Sequence, residues 1–213
     1  MLEYELLLGD DPFMEASSYP NQAIDPSVLY SSKIDYAPAA ANKPSLAPSH
    51  TGEAIWDVQL TFNLEAASGA LGNAGAEFDG TYFYSTRWAS NLLHQYDATG
   101  ALVQEFSITG VSGLRDLAFD GTYFYGGAAS TTIYVMYFAS QTLVGTISSP
   151  VAVRSIAYNE DLDAFYVADW TTDIYLVDRS GNTIATIPAA THALTSVYGS
   201  AYDNYSTGGP YLW

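Results

Sequence analysis

Two arginines, Arg115 and Arg154, occupy equivalent positions of an internal repeat. They stand out because the chain holds only 6 lysines and arginines against 23 aspartates and glutamates. A guanidinium presents a planar fork of donors that matches a carboxylate. Asp116 follows the first arginine, and Tyr198 takes the corresponding position in a later repeat. Together they outline a polar rim able to grip a carboxylate or a sugar acid. The earliest repeat has Ala74 there. The plainer reading is that each arginine pairs with a neighbouring acid and ties structural units together. Trp88 and Trp170 form a second set, each five residues after a repeated phenylalanine, Phe83 or Phe165. Exposed at loop edges, such rings stack on sugars; buried, they pack one unit on the next. Ala129 stands in that register in the second copy, and Trp213 ends the fourth.

Other chemistries find less footing. His50, His94 and His192 are far apart and lack metal-ligand spacing. The stretch GVSGL at Gly110–Leu114 lacks the spacing of a nucleophile elbow. With no cysteine, neither a thiolate nucleophile nor a disulfide is available. No glycine-rich phosphate loop is present. The stretch NEDLD at Asn159–Asp163 clusters oxygen ligands, and Asp161 and Asp163 are the candidates for holding calcium. It lacks the spacing of an EF-hand loop, and a solvated acidic turn explains it as well. No other cofactor is expected.

The elements that must position these residues come from the repeat itself. FDGTYFY occurs at Phe78–Tyr84 and again at Phe119–Tyr125. Looser copies run through Ile156–Trp170 and Ser200–Trp213. Aligning Phe78, Phe119, Tyr158 and Tyr202 gives spacings of 41, 39 and 44 residues. Each unit reads as a short strand, a turn and a second aromatic strand, followed by two more strands. Asp79-Gly80 and Asp120-Gly121 are hairpin turns, since glycine accepts positive φ without penalty. Further turns fall at Asp97–Gly100, Ala139–Thr142 and Arg179–Asn182. The stretch TIYVMYF is apolar at nearly every residue, whereas a strand with one wet face alternates. A period near forty with strands buried on both faces predicts an all-β, β-propeller-like array of four-stranded antiparallel blades. The units span roughly 72–112, 113–152 and 153–194, with a half blade over 195–213, about three and a half blades in all. The innermost strand of a blade lines the propeller channel, so Arg115 and Arg154 belong at its mouth.

The first 52 residues differ. Prolines at 12, 20, 26, 38, 44 and 48, with much alanine and serine, read as an extended arm. Ala54–Leu64 then reads as a strand able to complete the half blade from the other terminus. A ring of three and a half blades does not close, which leaves apolar faces and sheet edges in need of a partner. The sequence is then a fragment of a longer gene, or copies associate into a homo-oligomer, or subunits stack through open ends.

Composition bounds the partners. The formal charge of −17 repels nucleic acid and anionic lipid. No stretch approaches the ~18 apolar residues of a membrane span. The opening MLEYELLLGDDP has no basic start and too short an apolar run for a signal peptide.

The blades GLRDLAFDGTYFYGG with IYVMYFASQTLVGTI, and SIAYNEDLDAFYVADWTTDIYLVDRSGNTIATI, resemble those of bacterial secreted β-propellers of the NHL and YVTN kind. The resemblance covers about residues 54–213 and implies fold more than activity. It implies a parent protein outside the cell or on its surface. Its relatives include sugar lactonases and streptogramin lyases beside many non-catalytic binding proteins. The metal site of the lactonase-like enzymes does not map onto this chain. Three functions follow as expectations. The first is a non-enzymatic interaction protein that associates through blade edges and its arm. The second is a lactonase- or lyase-like enzyme or its remnant. The third is a carbohydrate-binding module using Trp88 and Trp170.

Overall fold

The computed structural model describes residues 60–213. The arm over 1–52, His50 and most of the strand expected over Ala54–Leu64 lie outside the described residues. The last residue of that strand, Leu64, opens helix α1 (Leu64–Ser68) instead. Asn63 caps it, its side-chain oxygen accepting the Ala66 N–H at 2.8 Å, so the backbone turns before a strand can continue.

Three four-stranded antiparallel sheets follow in chain order. The first holds β1 (Asn73–Phe78), β2 (Phe83–Arg87), β3 (Leu92–Tyr96) and β4 (Leu102–Ser107). The second holds β5 (Asp116–Phe119), β6 (Phe124–Gly127), β7 (Thr132–Tyr137) and β8 (Thr142–Ser148). The third holds β9 (Ser155–Asn159), β10 (Ala164–Ala168), β11 (Ile174–Asp178) and β12 (Thr183–Ile187). A short helix α2 (Ala189–His192) leads to a two-stranded sheet of β13 (Tyr202–Asp203) and β14 (Tyr211–Leu212). The first strands of successive sheets, β1, β5, β9 and β13, stand side by side. This is a β-propeller-like array of blades, with the inner strands around a common axis.

The continuous apolar strands have a direct explanation. Every residue of β10 is buried. Phe165 and Val167 point into the core shared with the second blade. Ala164, Tyr166 and Ala168 point into the core shared with β13 and β14. One strand serves two cores, so no position alternates to polar. The first blade's outward face is covered by Leu60, Phe62 and Leu64, packed on Phe83 and Tyr96.

The repeated heptapeptide builds a lock at each β1-type turn. Asp79 Oδ1 accepts the N–H groups of Thr81 and Tyr82, and its Oδ2 accepts the Tyr84 hydroxyl at 2.8 Å. Asp120 does the same with Thr122, Tyr123 and Tyr125, the last at 2.7 Å. Asn159 replaces the aspartate in the third blade. It accepts from Asp161 and Leu162, and its amide reaches the Tyr166 hydroxyl at 3.3 Å. In the fourth, Asp203 accepts from Tyr205, Ser206 and the Trp213 indole N–H. Trp213 therefore takes the register of Tyr84 rather than that of Trp88. Its neighbour Leu212 pairs with Tyr202 as Phe83 pairs with Phe78. The glycines of the two Asp-Gly turns adopt φ of 94° and 95°, which a side chain would strain.

Candidate ligand-binding site at the channel mouth

The backbone fixes Arg115 and Arg154 in one register. Arg115 N–H donates to Gly127 O at 2.8 Å, and Arg154 N–H donates to Ala168 O at 2.9 Å. Each residue immediately precedes or lies beside the start of an inner strand, β5 or β9. Trp88 follows β2 and Trp170 follows β10, so both rings rise from loops at this same end.

The side chains meet there. The Arg115 guanidinium lies 5.3 Å from the Trp88 ring centroid. That of Arg154 lies 4.0 Å from the Trp170 ring. The Tyr198 ring stands 6.0 Å from that of Trp170, tilted to it. The aromatic residues remain open, with Trp88 at 48%, Trp170 at 43% and Tyr198 at 70% exposure. The site is thus a row of aromatic rings and guanidinium planes.

The two arginines differ in how their charge is met. Arg154 Nε lies 2.7 Å from Asp169 Oδ1 within its own blade, an ion pair outside hydrogen-bond geometry. Arg115 has no acidic partner among the described residues, and its Nε, like that of Arg154, is buried without a hydrogen-bond partner. Burial, and then the neighbouring charge of Arg154, pull the Arg115 guanidinium below its usual pKa. Its charge is only partly solvated, is repelled by its neighbour, and faces an open rim.

Asp116 is placed otherwise than a ligand-gripping role requires. It is buried, and its Oδ2 accepts the N–H of Ile156 at 2.8 Å and of Ser200 at 3.3 Å. The carboxyl ties β5 to β9 and to the segment entering β13. Burial pushes it well above the usual carboxylate range, and the charge of Glu77 adds to the effect. Its proton therefore stays on where ordinary aspartates lose theirs.

The two calcium candidates also have partners. Asp161 accepts the Tyr202 hydroxyl at 2.7 Å and the Asn204 amide at 3.0 Å. Asp163 accepts from Arg179 Nε at 2.7 Å and from the Tyr158 hydroxyl at 2.8 Å. The Arg179 bond holds the Asp163 carboxyl below its ordinary range, against the opposing effect of burial. No group of three or more histidine, aspartate or glutamate side chains able to hold a metal exists among the described residues.

Sequence reasoning passed over Arg179. It follows β11 in an outer turn, yet its guanidinium reaches Asp120 Oδ2 at 2.9 Å and the Tyr125 hydroxyl in the preceding blade. It staples the second turn lock to the third blade, the stitching role considered above for Arg115 and Arg154. Its partners lie 54 and 59 residues back, so no local pattern marks it. Glu77 was passed over as well, being one acid among many in the sequence.

No family model matches the chain, and no curated protein matches it in sequence. Solved structures do. The chain is similar to the glutaminyl cyclase of Myxococcus xanthus, with a TM-score of 0.54 and 16% identity over 66% of this chain and 70% of that one. It also matches the hydrazine synthase of Kuenenia stuttgartiensis, with a TM-score of 0.49, 16% identity, and 62% and 39% of the two chains covered. The WD40 repeats of RRP9 match at a TM-score of 0.48 and 14% identity, over 62% of this chain and 42% of that one. The chain spans well under half of these last two structures. At 16% identity the likeness to the cyclase shows a shared fold and leaves activity open.

Proposed function

We propose that the protein is a non-enzymatic binding scaffold whose channel mouth holds a carboxylate-bearing saccharide. The single observation that supports this most is Arg115, a guanidinium without an acidic partner, over half-exposed Trp88 and repelled by a second guanidinium, Arg154, that lies over half-exposed Trp170. A carboxylate at the rim would relieve the repulsion between the arginines. The free faces of the tryptophans would stack on sugar rings. Guanidinium groups keep their protons across the physiological range, so they bind and orient rather than shuttle protons. The charge of −17 repels densely charged polyanions at long range. A ligand with one carboxylate per ring is compatible with that field. This role suits a parent protein outside the cell, akin to the exported bacterial propellers that the blades resemble.

Tryptophan fluorescence tests it. Titration with an oligogalacturonate shifts the emission and saturates, while a neutral oligosaccharide of equal length binds more weakly. A flat titration with both removes the proposal.

A second reading is association of copies through β14. Among the described residues β14 is the outer strand of a two-stranded sheet, beside sheets of four, and its residues Tyr211 and Leu212 are half-buried. Light scattering across a dilution series tests this: a mass that stays at one chain at every concentration excludes it.

A further inference from the structure

A second concavity lies at the opposite end of the inner strands from the arginine mouth. The ends of β1, β5 and β9, with the region around β13, enclose about 400 Å³. That volume is within the range of small-molecule sites. Its walls carry the rings of Phe78, Phe119, Tyr158 and Tyr205, together with two acids, Glu77 and Glu160. No lysine or arginine is among the lining residues.

The chemistry of this groove is opposite to that of the mouth. Glu77 is held in place by the backbone: its Oε1 accepts the Phe78 N–H at 2.8 Å, and the Phe119 N–H also bonds to it. Phe78 stacks on Phe83 at 4.5 Å, and Phe119 packs at a tilt on Phe124 at 4.6 Å, so both groove rings are braced by a neighbouring ring. Aromatic faces attract cations through their quadrupole, and a fixed carboxylate completes the attraction. The Tyr158 ring already has such a cation, the Arg179 guanidinium 5.6 Å from its centroid, which leaves the rings of Phe78 and Phe119 for a ligand. The overall acidic field concentrates cations at the surface.

We infer that this groove binds an alkylammonium ion, its charged head against the Glu77 carboxylate and beside the rings of Phe78 and Phe119. The site is independent of the mouth, and its ligand class is of the opposite charge.

Isothermal titration of the full chain at pH 8, above the raised Glu77 pKa of about 7, with choline and with its neutral isostere 3,3-dimethylbutan-1-ol, tests the inference. Choline binds and the alcohol does not. Glu77→Gln weakens choline binding by about tenfold, the order expected for loss of one charge-assisted contact. Phe78→Leu weakens it while keeping the apolar volume, which covers the case in which the glutamine variant fails to fold. Arg115→Gln leaves choline binding unchanged, so a failure at this site is distinguishable from one at the mouth. Equal binding of choline and the alcohol, no saturation by choline, or unchanged affinity in both groove variants overturns the inference.

Discussion

A single carboxyl shows how position overrides residue type in this chain. Burial pushes Glu77 up to about 7, opposed by the backbone donors of Phe78 and Phe119. The charge of Asp79 on its own turn raises it further, and Glu77 in turn raises Asp116 on β5. Glu160 and Tyr158 share the groove from the β9 side. Because the folded pKa lies above the unfolded one, Glu77 favours folding most when protonated. That contribution is present below the ordinary glutamate pKa of about 4.5 and declines as pH rises to about 7. Glu77→Gln cannot ionise, so its melting temperature relative to the native chain rises from pH 5 to pH 8. A constant difference across that range refutes the assignment. At this same scale the sequence was informative where a residue's surroundings repeat and silent where they do not. Arg115 and Arg154 could be paired by register alone, and so could Trp88 and Trp170. Glu77 could not be distinguished from other acids, and Asp116 was marked only by its place after Arg115, because their burial depends on neighbouring strands that the local sequence does not name.

The turn locks carry the argument at the scale of elements. Identical heptapeptides sit at Phe78–Tyr84 and Phe119–Tyr125, yet only the second receives a guanidinium from the next blade. Asp79→Ala leaves the Tyr84 hydroxyl and two backbone donors without their acceptor, a loss of about 2 kcal/mol. Asp120→Ala also deprives Arg179 of a largely buried partner, so its cost is about 3 kcal/mol or more. Urea unfolding of the two variants measures the difference, and equal losses would remove the staple. The inner strands make a sharper demand. A Cβ on Gly75 would lie 2.4 Å from the Asp116 Cα, so β1 approaches β5 only because that position has no side chain. Gly75→Ala destabilises by several kcal/mol or abolishes folding, as read by soluble yield and melting temperature. The strands and turns themselves were legible in advance: the Asp-Gly turns, the period and the unbroken apolar runs all follow from backbone chemistry. The helix at Leu64 was not, because a run of apolar residues suits a strand or a helix until Asn63 is seen to cap it.

For the whole molecule, the blades stack so that each inner strand touches the next, and chemistry separates to the two ends of the axis. One end presents Arg115 and Arg154 among open aromatic rings; the other presents Glu77 and Glu160 among aromatic walls. A repeat protein can do this because each blade contributes one equivalent residue to each end, and the repeats are free to differ there while their cores stay alike. Four-stranded blades were readable from sequence because every blade restates the same pattern. The meeting of Arg115 with Trp88 of the preceding blade was not, because it depends on how one blade is turned on the next. The central claim is that an unneutralised arginine at the mouth selects for a carboxylate. The most direct measurement is the ratio of affinities for an oligogalacturonate and its neutral counterpart, in the native chain and in Arg115→Gln. The native chain shows a ratio well above one, and Arg115→Gln lowers it by about tenfold. An unchanged ratio would contradict that claim.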